Sequence, residues 1–294
     1  MENTGHFFKS ISPDFHGLTE SVGRSESTIF KRDEVPYENT RVVIDEAVSH
    51  AISTPKCIAS RCRAKSHPLL TQYSDDYRWE IGIDEAGRGP MFGRLYVAGV
   101  VLPKGDLFRH GDMKDSKKFH SPKKIREVSD YIKQHAVAWY IHSITEQTID
   151  QINIRQSVLR GMLECAKQCI GKLPSTTPET DVCLLIDGND FQGCSMFDET
   201  RQTLIQIPHH TFEGGDNTYT AIAAASILAK VARDEYIDAL CVEYPELDRR
   251  YGISQNKGYG TKRHLDGIKE HGICEFHRRS FGLCKTAKNA PLEN

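Results

Sequence analysis

A chain of 294 residues, 38% hydrophobic and 27% charged, with a net charge of −2, can bury one sizeable core and still carry an extension. No apolar run approaches the ~20 residues of a membrane-spanning helix, and the N-terminus MENTGHFFKSISPDF lacks the basic and apolar regions of a secretory signal. The expectation is an intracellular protein without membrane contact, in the cytoplasm or nucleus with the mitochondrion left open, whose scattered cysteines are free thiols.

Residues 1–76 show no sustained periodicity and read as a poorly ordered extension of unknown role, mixed in charge and broken by Pro13, Pro36, Pro55 and Pro68. Within it, Val42–Ile52 has the spacing of one short amphipathic helix. Cys57, Cys62 and His67 make only a weak zinc pattern, because one cysteine pair and one histidine leave the site open.

A folded domain is expected over 77–288. Trp79–Glu85 reads as a buried strand and Leu95–Leu102 as a second, rich in β-branched residues. Ser121-Pro122 supplies an N-cap and first-turn proline for a helix over Lys123–Lys133. Ala136–Thr145 is a third strand, followed by a long helix over Ile149–Ile170 and a proline-bearing loop at Pro174–Glu179. Val182–Asp187 and Thr203–Ile207 are further strands, and a long helix rich in small residues follows Gly214-Gly215-Asp216. Basic helical and loop segments run from about 245 to 288. Alternating strands and helices of this kind predict an α/β fold with a mixed sheet flanked by helices.

The chemistry concentrates at strand ends. Asp84 and Glu85 are adjacent acids entering the turn Gly87-Arg88-Gly89. Two such acids repel each other, and burying them costs desolvation unless a cation is near. The glycines allow backbone to approach a ligand closely. Asp187 also ends an apolar strand before a glycine, and Asp216 precedes a helix. Taken singly, Asp187 could be a turn former and Asp216 a helix cap. Together the four suit metal-dependent phosphoryl chemistry, in which carboxylates from different elements hold two divalent ions. Between Arg249 and Lys288, ten Lys/Arg stand against three acids, either a solvated face or a surface that tracks phosphates.

In order, the motifs Ile83–Pro90 (IDEAGRGP), Asp115–Lys118 (DSKK), Leu185–Gly188 (LIDG), Gly214–Asp216 (GGD), Ala223–Asp234 (AAASILAKVARD), Lys257–Thr261 (KGYGT) and His277–Phe281 (HRRSF) resemble those of type 2 ribonuclease H, ribonuclease HII. The resemblance covers about 79–283, and its last two motifs are similar to the bacterial branch. It implies a ribonuclease H-like mixed sheet flanked by helices, with a C-terminal helical subdomain. It implies an endoribonuclease that cuts the RNA strand of RNA–DNA hybrids and incises 5′ to single ribonucleotides in duplex DNA, with Mg²⁺ or Mn²⁺ as cofactor. The metal-binding catalytic acids fall on Asp84, Glu85, Asp187 and Asp216. The turn Gly87-Arg88-Gly89 would read the 2′-OH, the group that distinguishes RNA from DNA at one nucleotide. Tyr259 would stack on the junction sugar, and Lys117, Lys118, Lys230 and Lys262 would meet phosphates. The structural alternatives are a core aromatic for Tyr259 and an exposed charged turn for the lysines at 117 and 118. Most of Ala221–Val231 is expected to be core packing.

A DEDD-type exonuclease is a poor match, because its first acids are spaced Asp-x-Glu and these are adjacent. A non-catalytic hybrid-binding protein would be expected to lack at least one acid. No Gln-x-x-aliphatic-x-x-aromatic-aromatic peptide stands near the C-terminus, so recruitment by a replication clamp through one is not expected. A monomer is expected, with a protein partner for the extension as an open role.

Overall fold

Alternation along Trp79–Ala86 (β1) sets the layout. Ile81 and Ile83 point to one face of the sheet and are fully buried. Gly82 points to the other, where a Cβ would lie 2.2 Å from the backbone of Ala221, so only glycine lets a helix rest there. The computed structural model describes residues 68–174, 177–198 and 202–292. The readings at Val42–Ile52 and at Cys57, Cys62 and His67 lie outside the described residues.

β1 pairs antiparallel with Leu95–Val101 (β2), which pairs antiparallel with Ala138–Ile144 (β3). On its other side β1 runs parallel to Val182–Asp187 (β4), which runs parallel to His209–Phe212 (β7). The five strands form a mixed sheet in the order β3-β2-β1-β4-β7. Cys194–Asp198 (β5) and Thr203–Ile207 (β6) make a separate antiparallel pair. The segment 203–207 is thus a strand as expected but lies outside the main sheet, whose fifth strand is the polar 209–212.

Pro122–His135 (α1) begins as its sequence requires, with the Ser121 hydroxyl accepting from the Lys124 N–H and Pro122 in the first turn. Glu146–Ile170 (α2) starts earlier than expected and breaks at Asn153, whose φ of 65° is left-handed. The Asn153 side chain accepts from the Gln156 N–H, so it caps the longer second part. α2 packs on the face carrying Ile81, Ile83 and Val97, with Val158, Met162 and Cys165 buried against them. Thr220–Glu243 (α3) and α1 cover the opposite face, where Ala223–Ala225, Ile227 and Leu228 pack against Ala98 and Val100. The small-residue helix is core packing, as expected.

Glu246–Tyr251 (α4), Ile253–Asn256 (α5) and Lys262–His271 (α6) carry a separate apolar cluster with Phe92, Ile237 and Ile273. The family-like C-terminal helical part is present. Residues 68–76, read as extension, make ordered contacts with the domain. Leu70 exchanges backbone hydrogen bonds with Thr218 and Thr220, and the N–H groups of Tyr73 and Ser74 donate to the buried Glu80 carboxylate. Leu69 and the Tyr73 ring also pack on the domain, but two isolated apolar anchors set no period in sequence. The seven cysteines described are free, and among the described residues no helix is long and apolar enough to cross a membrane.

Candidate active site

Ile83 pairs with Ile186 in the parallel β1–β4 ladder, so Asp84 and Asp187 emerge at the same level of adjacent strands. Glu85 follows at once on β1. This is the carboxyl end of a parallel strand pair, where α/β sheets form ligand crevices. The Asp187 Oδ1 accepts from the Gly215 N–H at 2.8 Å, which ties the 3₁₀ turn Gly215–Asn217, and with it Asp216, to the end of β4. Asp216 does not cap α3. That helix begins at Thr220 behind Tyr219, which makes no side-chain cap.

Asp84 and Asp216 are each only 5% exposed. Burial, then the charges of Glu85 and Asp187, hold the Asp84 carboxyl well above the ordinary carboxylate range. Glu85 is raised by burial and by Asp187, against a lowering by Arg88, whose guanidinium stands 3.5 Å away. Asp216 is raised by burial and by Asp115 and Asp187. Burial and mutual repulsion thus disfavour ionisation of these acids unless a cation joins them. Lys230, the nearby ammonium on α3, is engaged by Asp234 at 2.8 Å.

Among the described residues no three Asp, Glu, His or Cys side chains are drawn together closely enough to hold a metal ion as they stand. The donor set nonetheless fits a hard divalent cation. All its members are carboxylates, two are nearly sealed from water, and their mutual repulsion is what a cation relieves.

The acids open into a cleft of about 430 Å³. Asp84, Glu85, Gly87, Arg88, Gly89, Lys117, Asp187, Lys230 and Tyr259 all line it. Asp216, Lys118 and Lys262 do not. Asp216 lies behind Asp187, Lys118 bonds the Asn217 side chain, and Lys262 is exposed in the first turn of α6. Tyr259 is 51% exposed, so it is a presented ring and not a core aromatic. A Cβ on Gly89 would sit 3.7 Å from the Tyr259 ring, which places the ring beside the glycine turn.

Three further residues shape the cleft. Ser226 on α3 bonds Ser116 at 3.0 Å and supports Asp84 from behind. Arg233 is 3% exposed; its Nη2 donates to the carbonyls of Phe92 and Lys257, and its side chain fills the space beneath Gly87. Gly87 has φ +93° and no room for a Cβ, which would meet Arg233 Nε at 2.3 Å. Arg278 is fully buried, with Nε donating to Gly93 O at 2.8 Å and Nη1 to the carbonyls of Arg88 and Pro90. Counted with the basic C-terminal block, Arg278 would have tracked phosphates; it braces the glycine turn instead. Nothing in the sequence singles out Arg233, which stands among Lys230, Asp234 and Glu235 on α3.

A mixed sheet with carboxylates at the ends of two adjacent parallel strands, opening beside a glycine turn, defines a ribonuclease H-like nuclease site. The family model for ribonuclease HII matches residues 81–284. The ribonuclease HII of Parabacteroides distasonis is 39% identical over 215 residues, covering 73% of this chain and 96% of that protein. That of Nitrosomonas europaea is 39% identical over 217 residues, covering 74% and 88%. The crystal structure of ribonuclease H2 from Pyrococcus horikoshii shares the fold, with a TM-score of 0.53 at 20% identity over 70% of this chain and 95% of that one. Ribonuclease HII of Archaeoglobus fulgidus, solved in a complex with PCNA, gives 0.51 at 25% identity over 70% and 96%. The chain belongs to the ribonuclease HII family. It is a hydrolase of the ribonuclease H class, a divalent-metal-dependent group whose substrates are RNA–DNA hybrids.

Proposed function

We propose that this enzyme, besides cutting the RNA strand of hybrids, incises 5′ to single ribonucleotides embedded in duplex DNA, leaving 3′-OH and 5′-phosphate ends. Such an activity would serve ribonucleotide excision and RNA primer removal. The observation that carries it is the juxtaposition of uncompensated acids at the ends of β1 and β4 with a glycine turn and a presented tyrosine. On this reading the acids serve hydrolysis, while the turn and ring recognise one sugar.

Asp84, Glu85, Asp187 and Asp216 would hold Mg²⁺ or Mn²⁺, which when bound supplies charge to the scissile phosphate and activates water. The chain's own groups do the rest. Backbone of Gly87–Gly89 approaches the ribose because no side chain intervenes, and it selects the 2′-OH. Arg88, half exposed at the rim, takes a phosphate. Lys117 and Lys230 meet phosphates within the cleft, and Lys118 and Lys262 meet the duplex outside it. Tyr259 stacks on the sugar at the RNA–DNA junction. The adjacency of Asp84 and Glu85 on one strand argues against a DEDD exonuclease, and the retention of all four acids argues against a non-catalytic hybrid binder. The protein acts inside the cell as a monomer, and the N-terminal extension 1–76 takes a protein partner.

The test is an end-labelled duplex carrying one internal ribonucleotide, incubated with Mg²⁺, Mn²⁺ or EDTA. One cut on the 5′ side of the ribonucleotide, abolished by EDTA, supports the reading. Cleavage of uniform hybrid alone would confine the enzyme to hybrids.

A further inference from the structure

Behind Tyr259 runs a buried chain of hydrogen bonds that the cleavage chemistry does not use. The Cys274 N–H reaches His277 Nδ1 at 3.1 Å. A backbone N–H can only donate, so Nδ1 accepts and the His277 proton sits on Nε2. That Nε2 lies 3.1 Å from His264 Nε2, which must therefore accept, leaving the His264 proton on Nδ1. His264 Nδ1 in turn donates to the Tyr259 carbonyl at 2.9 Å. One backbone donor thus fixes the tautomers of both rings and aims the last N–H at the tyrosine loop.

The surroundings keep this chain neutral and rigid. His264 and His277 are 0% and 2% exposed. Phe92 stands edge-on to both rings, and the Tyr251 ring lies 4.8 Å from His277 and 6.0 Å from His264. The other neighbouring titratable group is the Cys274 thiol, 3.2 Å from His277 Nδ1, whose own pKa burial pushes up to about 12. Burial, with the proximity of the His264 ring second, pushes His277 down to about 3, so it stays uncharged at working pH. Arg278, the next residue, holds the carbonyls of Arg88 and Pro90. Two consecutive residues thus grip the two elements that meet at the Gly89–Tyr259 contact.

We propose that His277, acting through His264, is a positioning residue that sets the Tyr259 ring against the Gly87–Gly89 turn, and so governs the preference for a single ribonucleotide over a continuous hybrid. The inference rests on the reading of Tyr259 as the residue that stacks on the junction sugar. A loss of general stability would lower both activities together. A loss of ring placement would lower mainly the one that needs a junction.

The experiment measures kcat/KM on a duplex with one ribonucleotide and on a uniform RNA–DNA hybrid, for His277→Leu, His277→Gln, His264→Phe and Tyr259→Ala, and for Tyr259→Ala combined with His277→Leu. Removing one buried hydrogen bond from the chain should lower the single-ribonucleotide value about tenfold. The hybrid value should fall less than about threefold in the same variant. His277→Gln keeps an N–H donor toward His264 and should recover most of the ratio. His264→Phe keeps the packing, removes the donor to Tyr259, and should shift the ratio as His277→Leu does, which covers failure of the leucine variant to fold. In the Tyr259→Ala background His277→Leu should leave the ratio unchanged, because the two act as one unit. If Tyr259→Ala shifts the ratio and neither histidine variant does, the relay is wrong and the reading of Tyr259 stands. A full His277→Leu shift that persists without the tyrosine also overturns the relay. If Tyr259→Ala leaves the ratio unchanged, the reading of Tyr259 falls and the relay with it.

Discussion

At the ends of β1 and β4, buried carboxylates crowd together with one partly exposed guanidinium nearby. In the segment 249–288 the reverse holds, and cations are largely matched by partners of the protein's own. Arg249 and Arg250 pair with Glu246, Lys257 with Asp238, Lys269 with Asp266, and Arg278 gives Nε and Nη1 to three carbonyls. The acids lack a matching cation at the strand ends; most of the named bases are matched by neighbours on their own helices, and Arg278 braces the glycine turn. A charge count along the sequence treats the two regions alike. Burial and pairing separate them.

The comparison is broken most sharply at Asp84. Asp84→Asn should lower cleavage of a hybrid about a thousandfold, the ~4 kcal/mol that loss of a charged metal ligand represents. The same change should raise the unfolding free energy of the metal-free protein in urea by about 1 kcal/mol, since it removes a repelling charge that burial already disfavours. Loss of stability together with unchanged cutting would show that the carboxylate is structural.

Arg278→Lys tests the other side. One ammonium cannot serve the carbonyls of Arg88, Pro90 and Gly93 at once, so stability should fall by about 2–4 kcal/mol in urea unfolding. If the residue instead tracks phosphates, stability will be unchanged and only the salt dependence of binding will respond.

A smaller effect is expected from pH. The folded pKa of His277, about 3, lies below the ordinary histidine value, so the unfolded chain takes up the proton first. The stability that His277 contributes is complete above pH ~6.5 and is lost progressively on acidification toward pH 3. Between pH 7 and 5 the wild type should lose about 2 kcal/mol relative to His277→Gln. The raised carboxylates titrate in the opposite sense, but they are common to both proteins and cancel in the difference. Parallel stability curves for the two proteins would contradict the burial of a neutral ring.

The least disruptive change is Lys262→Ala, since this side chain is exposed and has no partner among the described residues. It should weaken hybrid and single-ribonucleotide duplex alike and reduce the slope of log Kd against log salt by about one phosphate contact. An unchanged slope would remove Lys262 from the substrate surface.

How far the sequence discloses this division depends on the residue. Asp84 and Asp187 were legible because each ends an apolar strand before a glycine-bearing turn, a pattern that fixes direction as well as position. The small residues of α3 were legible because close helix–sheet approach needs them. The strand at 209–212 was not, since its histidines and threonine give no apolar alternation and it gains its place only by pairing with β4. The break at Asn153 was hidden inside a continuous helical pattern, because a side-chain cap can replace one helical turn without changing composition. Arg233 and Arg278 were hidden for a common reason. Nothing local distinguishes an arginine whose donors go to backbone carbonyls from one that waits for phosphate.

The most direct test of this division uses Asp187→Asn. Single-turnover cleavage of the single-ribonucleotide duplex and the Kd for that duplex are measured on one preparation, with Mg²⁺ or Mn²⁺ present. A cleavage rate reduced about a thousandfold with Kd within about threefold of wild type is expected on the proposed division, in which the acid serves hydrolysis while the turn, Tyr259 and the exposed Lys262 hold the duplex. Retained cleavage, or binding lost in step with it, would contradict the account.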